Sequence, residues 1–249
     1  MKLPIYRGDV PYLTTDQMIE VDRAMMEDLR IDLVRMMENA GRNLAHLARA
    51  RFLGGDPRGK RVAVLAGTGG NGGGALVCAR RLHNYGALVS VFVTGPEESF
   101  TPVQAHQLDI LNRMRVPVAQ AAAVAGGDSP DLPDLIIDGL IGYSLRGAPR
   151  GAAGDLIRWA NGQGAPILSL DVPSGVDTAT STVFDPAVRA TATMTLALPK
   201  EGLRAPGVDA LVGELYLADI SVPPSLYAGP GLGLEVGNLF AEGDIIRLN

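Results

Sequence analysis

The chain has 249 residues, with Lys plus Arg 22 against Asp plus Glu 27, a formal net charge of −5. That acidic balance argues against a general nucleic-acid or anionic-membrane binder. Hydrophobic residues at 47% and charged residues at 20% fit a globular chain and not a disordered one.

The amino-terminal stretch MKLPIYRGDVPYLT has no apolar core of a secretory signal. No run reaches the ~18 apolar residues of a membrane span. The cytoplasm is therefore the expected compartment. Residues 14–53 read as two helices. Thr15 is the expected cap of the first, followed by Met18, Ile19, Val21, Asp22 and Met25. The second starts near Leu33, with Val34, Met37, Leu44, Leu47 and Ala48 at helical spacing, and Gly54 and Gly55 stop it. Met25, Met26, Met36 and Met37 are expected to pack the helix pair or a homodimer contact.

From residue 61 the pattern changes. RVAVLAG (61–67) predicts a buried strand, and 73–85 a helix. ALVSVFVTG (87–95) predicts a second strand, and Thr101 to Arg113 a helix. Val116–Ala119 reads as a weak third strand and DLIIDGLIG (134–142) as a fourth, followed by a helix over 154–161. PILSLDVPSG (166–175), TATMTLAL (191–198) and GELYLADI (213–220) complete the strands. Strands alternating with helices predict an α/β fold: a three-layer, doubly wound, mostly parallel, Rossmann-like sheet with the helix pair packed on it. One domain over 1–249 is expected. Ligands of such sheets bind at the carboxyl ends of the strands, where strand order reverses.

Three of those carboxyl-end loops carry candidate chemistry. The first strand runs into Gly67-Thr68-Gly69-Gly70-Asn71-Gly72-Gly73-Gly74, whose backbone N–H groups can approach an anion at a helix N-terminus. A tight turn without ligand is the bland alternative. An ordinary NAD site wants an acid at the end of the second strand, and Phe92-Val93-Thr94-Gly95 supplies none. The fourth strand ends at Asp138 and the fifth at Asp171. A carboxylate ending a buried strand is costly unless paired, hydrogen-bonded or bound to a cation, and two on neighbouring strands point to one site. For either aspartate alone a helix or turn cap is the plainer reading. The oxygen donors Asp138, Asp171, Ser174 and the Asn71 amide suit a hard cation and not zinc or copper.

Other scans are negative. The P-loop-like GGDPRGKR (54–61) has Arg61 where Ser or Thr is required and precedes its strand. No GxSxG elbow occurs. Cys78, the single cysteine, excludes an intramolecular disulfide and reads as a core residue; His46, His83 and His106 have no metal-ligand spacing.

The segments LTTDQMIEVDRAMM (13–26), MMENAG (36–41), GTGGNGGG with ALVCARRL (67–82), IIDGLIGYSLRG (136–147), LDVPSGVD (170–177), LPKEGL (198–203) and GELYLADISVPP (213–224) occur in one order along the chain. In that order they resemble the NAD(P)H-hydrate epimerases, the YjeF N-terminal domain proteins. The resemblance implies a small-molecule substrate, NADH or NADPH hydrated at C6 of the nicotinamide ring (NADHX or NADPHX). The reaction would interconvert its R and S epimers, so that a separate S-specific dehydratase can restore the cofactor. By the family's pattern Asp171 is the substrate-contacting, acid–base aspartate. Asn71, Asp138 and Ser174 match ligands of one K+ per subunit. Gly70, Asn71, Gly72, Gly73 and Gly74 match one substrate segment. Gly142, Tyr143, Ser144, Leu145, Arg146, Gly147 and Ala148 match the other. Lys200 falls in the family's lysine-glycine turn. No fused dehydratase domain, nucleic-acid partner or membrane partner is expected.

The chain departs from the family loop Asn-Asn-Gly-Gly-Asp-Gly at Gly70 and Gly74, while Asn71 stays. An aspartate at 74 would be expected to stand at the start of the following helix. A non-catalytic binding or scaffold module on the same fold, as in mRNA-decapping enhancers, is the alternative reading. An NAD-dependent oxidoreductase is a more distant one.

Overall fold

A computed structural model describes residues 3–125 and 132–248. The chain begins with strand β1 (Ile5–Tyr6) and the helices α1 (Thr15–Glu27) and α2 (Leu33–Leu47). Then come β2 (Arg61–Ala66), α3 (Gly70–Asn84), β3 (Leu88–Val93), α4 (Pro102–Arg113), β4 (Val118–Gln120), α5 (Ala122–Ala125), β5 (Leu135–Gly139), α6 (Gly151–Gly162) and β6 (Ile167–Leu170). The short strands β7 (Val176–Asp177) and β8 (Thr182–Val183) form a separate hairpin. They are followed by β9 (Ala192–Leu196), α7 (Asp209–Val212), β10 (Glu214–Ala218), α8 (Pro224–Ala228) and β11 (Ile245–Leu248).

Nine of the described strands make one sheet in the order β1-β11-β10-β9-β6-β5-β2-β3-β4. Every neighbouring pair is parallel except β10 with β11. The doubly wound reading therefore holds, with a reversed edge. β2 shows why both faces are covered. Val62, Val64 and Ala66 point into the layer shared with α2, α3 and α4, while Ala63 and Leu65 point into the layer of α6. A third cluster joins Met18, Val21, Met25 and Met36 of the helix pair to Leu198, Leu217 and Ile246. The helix pair thus packs on the sheet as expected, and Cys78 is a fully buried core residue.

Two local expectations need correction. The cap of α1 is Thr14, not Thr15. Its hydroxyl accepts from the Gln17 N–H at 3.2 Å, and its own N–H donates to Gln17 Oε1 at 2.9 Å. This is a reciprocal capping box, so Gln17 decides which threonine caps. The helix after β2 starts at Gly70, not at 73. Glycine is a poor helix former, so its helical turn is invisible to propensity and is imposed by packing. Gly74 is consequently the fifth residue of α3 and is buried. A side chain there would point at Leu170, 2.7 Å from its Cβ, rather than cap the helix.

The chain runs outward through β2, β3 and β4, then returns to lay β5 on the other side of β2. The switch point lies between β2 and β5, and glycine lets their outgoing loops touch. A Cβ on Gly67 would sit 1.9 Å from the Leu140 carbonyl oxygen. The Gly67 N–H also donates to the Gly139 carbonyl at 3.1 Å. Neither backbone can retreat without disturbing the pairing of β2 with β5. Gly67→Ala is thus expected to lower stability by more than ~3 kcal/mol. Gly70→Ala, whose Cβ would meet nothing within 4 Å, is expected to be neutral or stabilising by up to ~1 kcal/mol. Urea midpoints of the two variants check the contrast.

Candidate active site

The carboxyl edge of the sheet and the helix pair face each other across a cleft. Met18 and Asp22 of α1, with Met36, Met37 and Ala40 of α2, form one wall. Gly70, Asn71, Leu170, Asp171, Leu196 and Lys200 form the other, and Tyr143 from the loop after β5 closes one side.

Asp138, in β5 beside Ser169 of β6, has no exposed surface. Its Oδ1 accepts from Ser174 Oγ at 2.6 Å and from the Leu140 N–H at 3.2 Å. Its Oδ2 accepts from Ser169 Oγ at 2.7 Å and the Ser174 N–H at 3.0 Å. All four donors are neutral, and burial pushes the carboxyl above its ordinary range. Asn71 Nδ2 donates to the Leu170 carbonyl at 2.7 Å. That bond leaves the Asn71 amide oxygen against Gly142, where a Cβ would lie 2.5 Å from it. Asp138 and Ser174 are therefore bonded directly, and Asn71 is anchored to the residue preceding Asp171.

Asp171 follows β6 with φ +66°, a left-handed conformation that costs a non-glycine residue ~1–3 kcal/mol. Its N–H donates to the Met194 carbonyl at 2.7 Å. Its carboxylate does not join Asp138 in one cluster: it turns to Lys200, whose ammonium contacts Oδ1 directly. The Lys200 side chain has no exposed surface. It also donates to the Leu196 carbonyl at 2.8 Å and to Thr195 Oγ1 at 3.3 Å, which uses all three ammonium protons. The Tyr143 N–H approaches Asp171 Oδ2 at 3.4 Å. The turn bearing Lys200 is held by the amino-terminal segment: the Leu13 N–H donates to the Pro199 carbonyl, and the Glu201 N–H to the Leu13 carbonyl, at 2.8 and 2.9 Å.

The expected substrate segments divide. Gly70 and Gly74 line the cleft. Gly72 and Gly73 do not; their Cβ positions meet the Gly67 carbonyl and Met37, so they serve packing. Of the loop from Gly142 to Ala148 only Tyr143 lines the cleft. Gly142 and Leu145 are buried, and Ser144, Arg146 and Gly147 are exposed.

The sequence reading missed Asp22. Its Oδ2 accepts from Tyr143 Oη at 2.6 Å. Burial raises its carboxyl above the usual range despite that bond and the pull of Lys200. The same burial, with Asp22, pushes the Tyr143 phenol up. The available signal was an acid four residues after Met18, inside the buried stripe of Val21 and Met25.

Comparison with known proteins gives the family and the fold. The family described as YjeF-related protein N-terminus matches residues 34–202. The chain is 41% identical over 236 residues to an "NAD(P)H-hydrate epimerase" of Dehalogenimonas lykanthroporepellens, covering 95% of this chain and 92% of that protein. It is 34% identical over 225 residues to a "Bifunctional NAD(P)H-hydrate repair enzyme Nnr" of Salinibacter ruber, covering 86% of this chain but 41% of the longer relative. In fold it is similar to yeast ynu0, YNL200c, with a TM-score of 0.80 at 24% identity over 96% of this chain and all of that one.

Breaking a buried ion pair typically costs ~3–5 kcal/mol, because one charge is stranded. Asp171→Asn is therefore expected to lose stability of that order, and the double variant Asp171→Asn/Lys200→Met to recover most of it. Denaturant melts of the single and double variants check the coupling.

Proposed function

The chain belongs to the YjeF-related protein N-terminus family, and on that footing we propose that it interconverts the R and S epimers of hydrated NADH and NADPH. The similarity to a named epimerase along nearly its whole length supports the reaction. The observation that carries the assignment of residues is the Asp171–Lys200 pair, buried in the fold and lining the cleft.

In the hydrated ring the C6 hydroxyl stands beside the ring nitrogen. Its departure as water leaves a cation delocalised onto that nitrogen, and water returning to the other face gives the opposite epimer. The chemistry needs a group to move protons on and off oxygen, and negative charge near the cation. Asp171 is suited to both roles. Lys200 holds its carboxylate in one orientation, and the left-handed backbone at Asp171 aims it into the cleft. The unobstructed first turn of α3, capped by Gly69 without a side chain, suits a phosphate of the dinucleotide. The apolar wall of Met18, Met36 and Met37 suits a ring and limits water around the cation.

The proposal includes one potassium ion. Asp138 is a buried carboxylate with only neutral donors, next to the Ser174 hydroxyl, and the Asn71 amide oxygen is turned towards Gly142. This donor set is all oxygen and fits a hard cation. Bound there, the ion would supply positive charge that offsets Asp138 and orders the loops after β2 and β5. Asn71, Asp138 and Ser174 would hold it.

A functional link to a dehydratase follows from the bifunctional relatives, of which this chain spans about two-fifths. The reading implies the cytoplasm as its setting. It also includes a homodimer, for which the exposed Ile19 and Met26 of α1 offer an apolar face.

With R-enriched NADHX and an S-specific dehydratase, adding the protein is expected to speed recovery of NADH absorbance. No acceleration over the spontaneous rate would sink the reading. Asp171→Asn is expected to lower that rate by ~10²–10⁴-fold. Exchanging potassium for a large organic cation is expected to weaken substrate binding, and zinc chelators to leave it unchanged. Titration of NADP+ in the two salts checks the cation.

A further inference from the structure

We infer that Asp22 is a second acid–base group of this cleft, serving the face of the reacting C6 carbon opposite to the one served by Asp171. The inference rests on the epimerase reading above and adds to it the group that inversion requires.

The two carboxyl groups stand on facing walls. Asp171 leaves the end of β6, while Asp22 comes from α1, and both line the same cleft. Their partners differ in kind: an ammonium against Asp171, a phenol against Asp22. Among the described residues Asp22 forms no ion pair. It stands with Met18, Leu33 and Met36 in an otherwise apolar wall, where a carboxyl group without a function would be costly to keep. Tyr143 spans the gap. Its hydroxyl holds Asp22, and its backbone N–H approaches Asp171. The charged and titratable groups facing Asp22 are Tyr143, Lys200, Asp171 and Tyr227 of α8. Burial outweighs the opposing influence of Tyr143 and Lys200 and favours the protonated form of Asp22.

Inversion by loss and return of water needs departure from one face and arrival at the other. A single carboxyl group on one wall serves one face of a ring held in a cleft. With two, the steps balance. The proton of Asp22 goes to the C6 hydroxyl, the C–O bond breaks, and water leaves. The ring nitrogen lone pair supplies electrons to the cation. A second water forms the new C–O bond from the Asp171 side, and its proton goes to the Asp171 carboxylate. No oxidant or reductant enters. The opposite epimer runs the sequence backwards, and exchange with solvent resets the protons between turnovers.

The test follows C6 oxygen in oxygen-18 water while epimerisation is read by the coupled dehydratase. Wild-type protein should incorporate one solvent oxygen per inversion. Asp22→Asn should slow inversion by at least ~10²-fold with KM changed by less than about threefold. It should still exchange oxygen with retention on the epimer whose hydroxyl faces Asp171. Inversion by Asp22→Asn within about threefold of wild type overturns the proposal, as does a raised KM with unchanged kcat. Should that variant not fold, Tyr143→Phe keeps both carboxyl groups but removes a hydrogen bond that favours the ionised form of Asp22. The limb of the pH–rate profile set by Asp22 should then move to higher pH, and an unmoved limb overturns the proposal. A wild-type protein that exchanges and inverts nothing overturns the epimerase reading itself, and is recognised before any variant is made.

Discussion

An ammonium group with no solvent around it must find a carboxylate, and much of the site's geometry follows from how Lys200 finds Asp171. The pair joins the residue after β6 to the turn after β9. That turn is clamped by Leu13 from the segment before α1, so the helix pair cannot leave the sheet without disturbing the turn that carries Lys200. The left-handed backbone at Asp171 is sustained by the same contacts, with its N–H fixed to Met194 and its carboxylate to Lys200. Local strain of this kind survives only where the surroundings over-determine it.

Asp138 meets a different demand with different means. It has no cation among its hydrogen-bond partners, and two serines and two backbone N–H groups satisfy it instead. Two aspartates that look alike in the sequence, each near the end of a buried strand, thus belong to separate networks on adjoining strands. One faces the cleft, and the other stiffens the loops that frame it.

Much of this was legible in the residues. Alternation of apolar runs with helical spacing gave the sheet and its layers, because each strand is buried on both faces. Asp138 and Asp171 stood out because an acid ending an apolar strand demands a partner. The partner of Asp171 did not stand out: Lys200 is 29 residues away, and only β6 lying beside β9 brings them together. Asp22 stayed hidden because one acid on an amphipathic helix reads as surface. β1 and β11 were missed for another reason. Ile5–Tyr6 and Ile245–Leu248 are too short to show a period, and they are strands because β11 pairs with β10 and β1 pairs with β11. The onset of α3 was misjudged because six glycines between 67 and 74 carry no helical signature, and their spacing is set by how closely loops must pass.

The pairing of β1 with β11 has an architectural consequence. Ile5 lies opposite Arg247 and Tyr6 opposite Leu248, so the two ends of the described fold sit side by side. They do so at an outer margin of the sheet, with β11, β10, β9 and β6 standing between β1 and β5. A polypeptide appended at either end would hang from that margin. The layout is modular: it lets the same catalytic unit be tethered to a partner enzyme, or have its ends spliced together and reopened elsewhere, without rebuilding the chemistry at its centre.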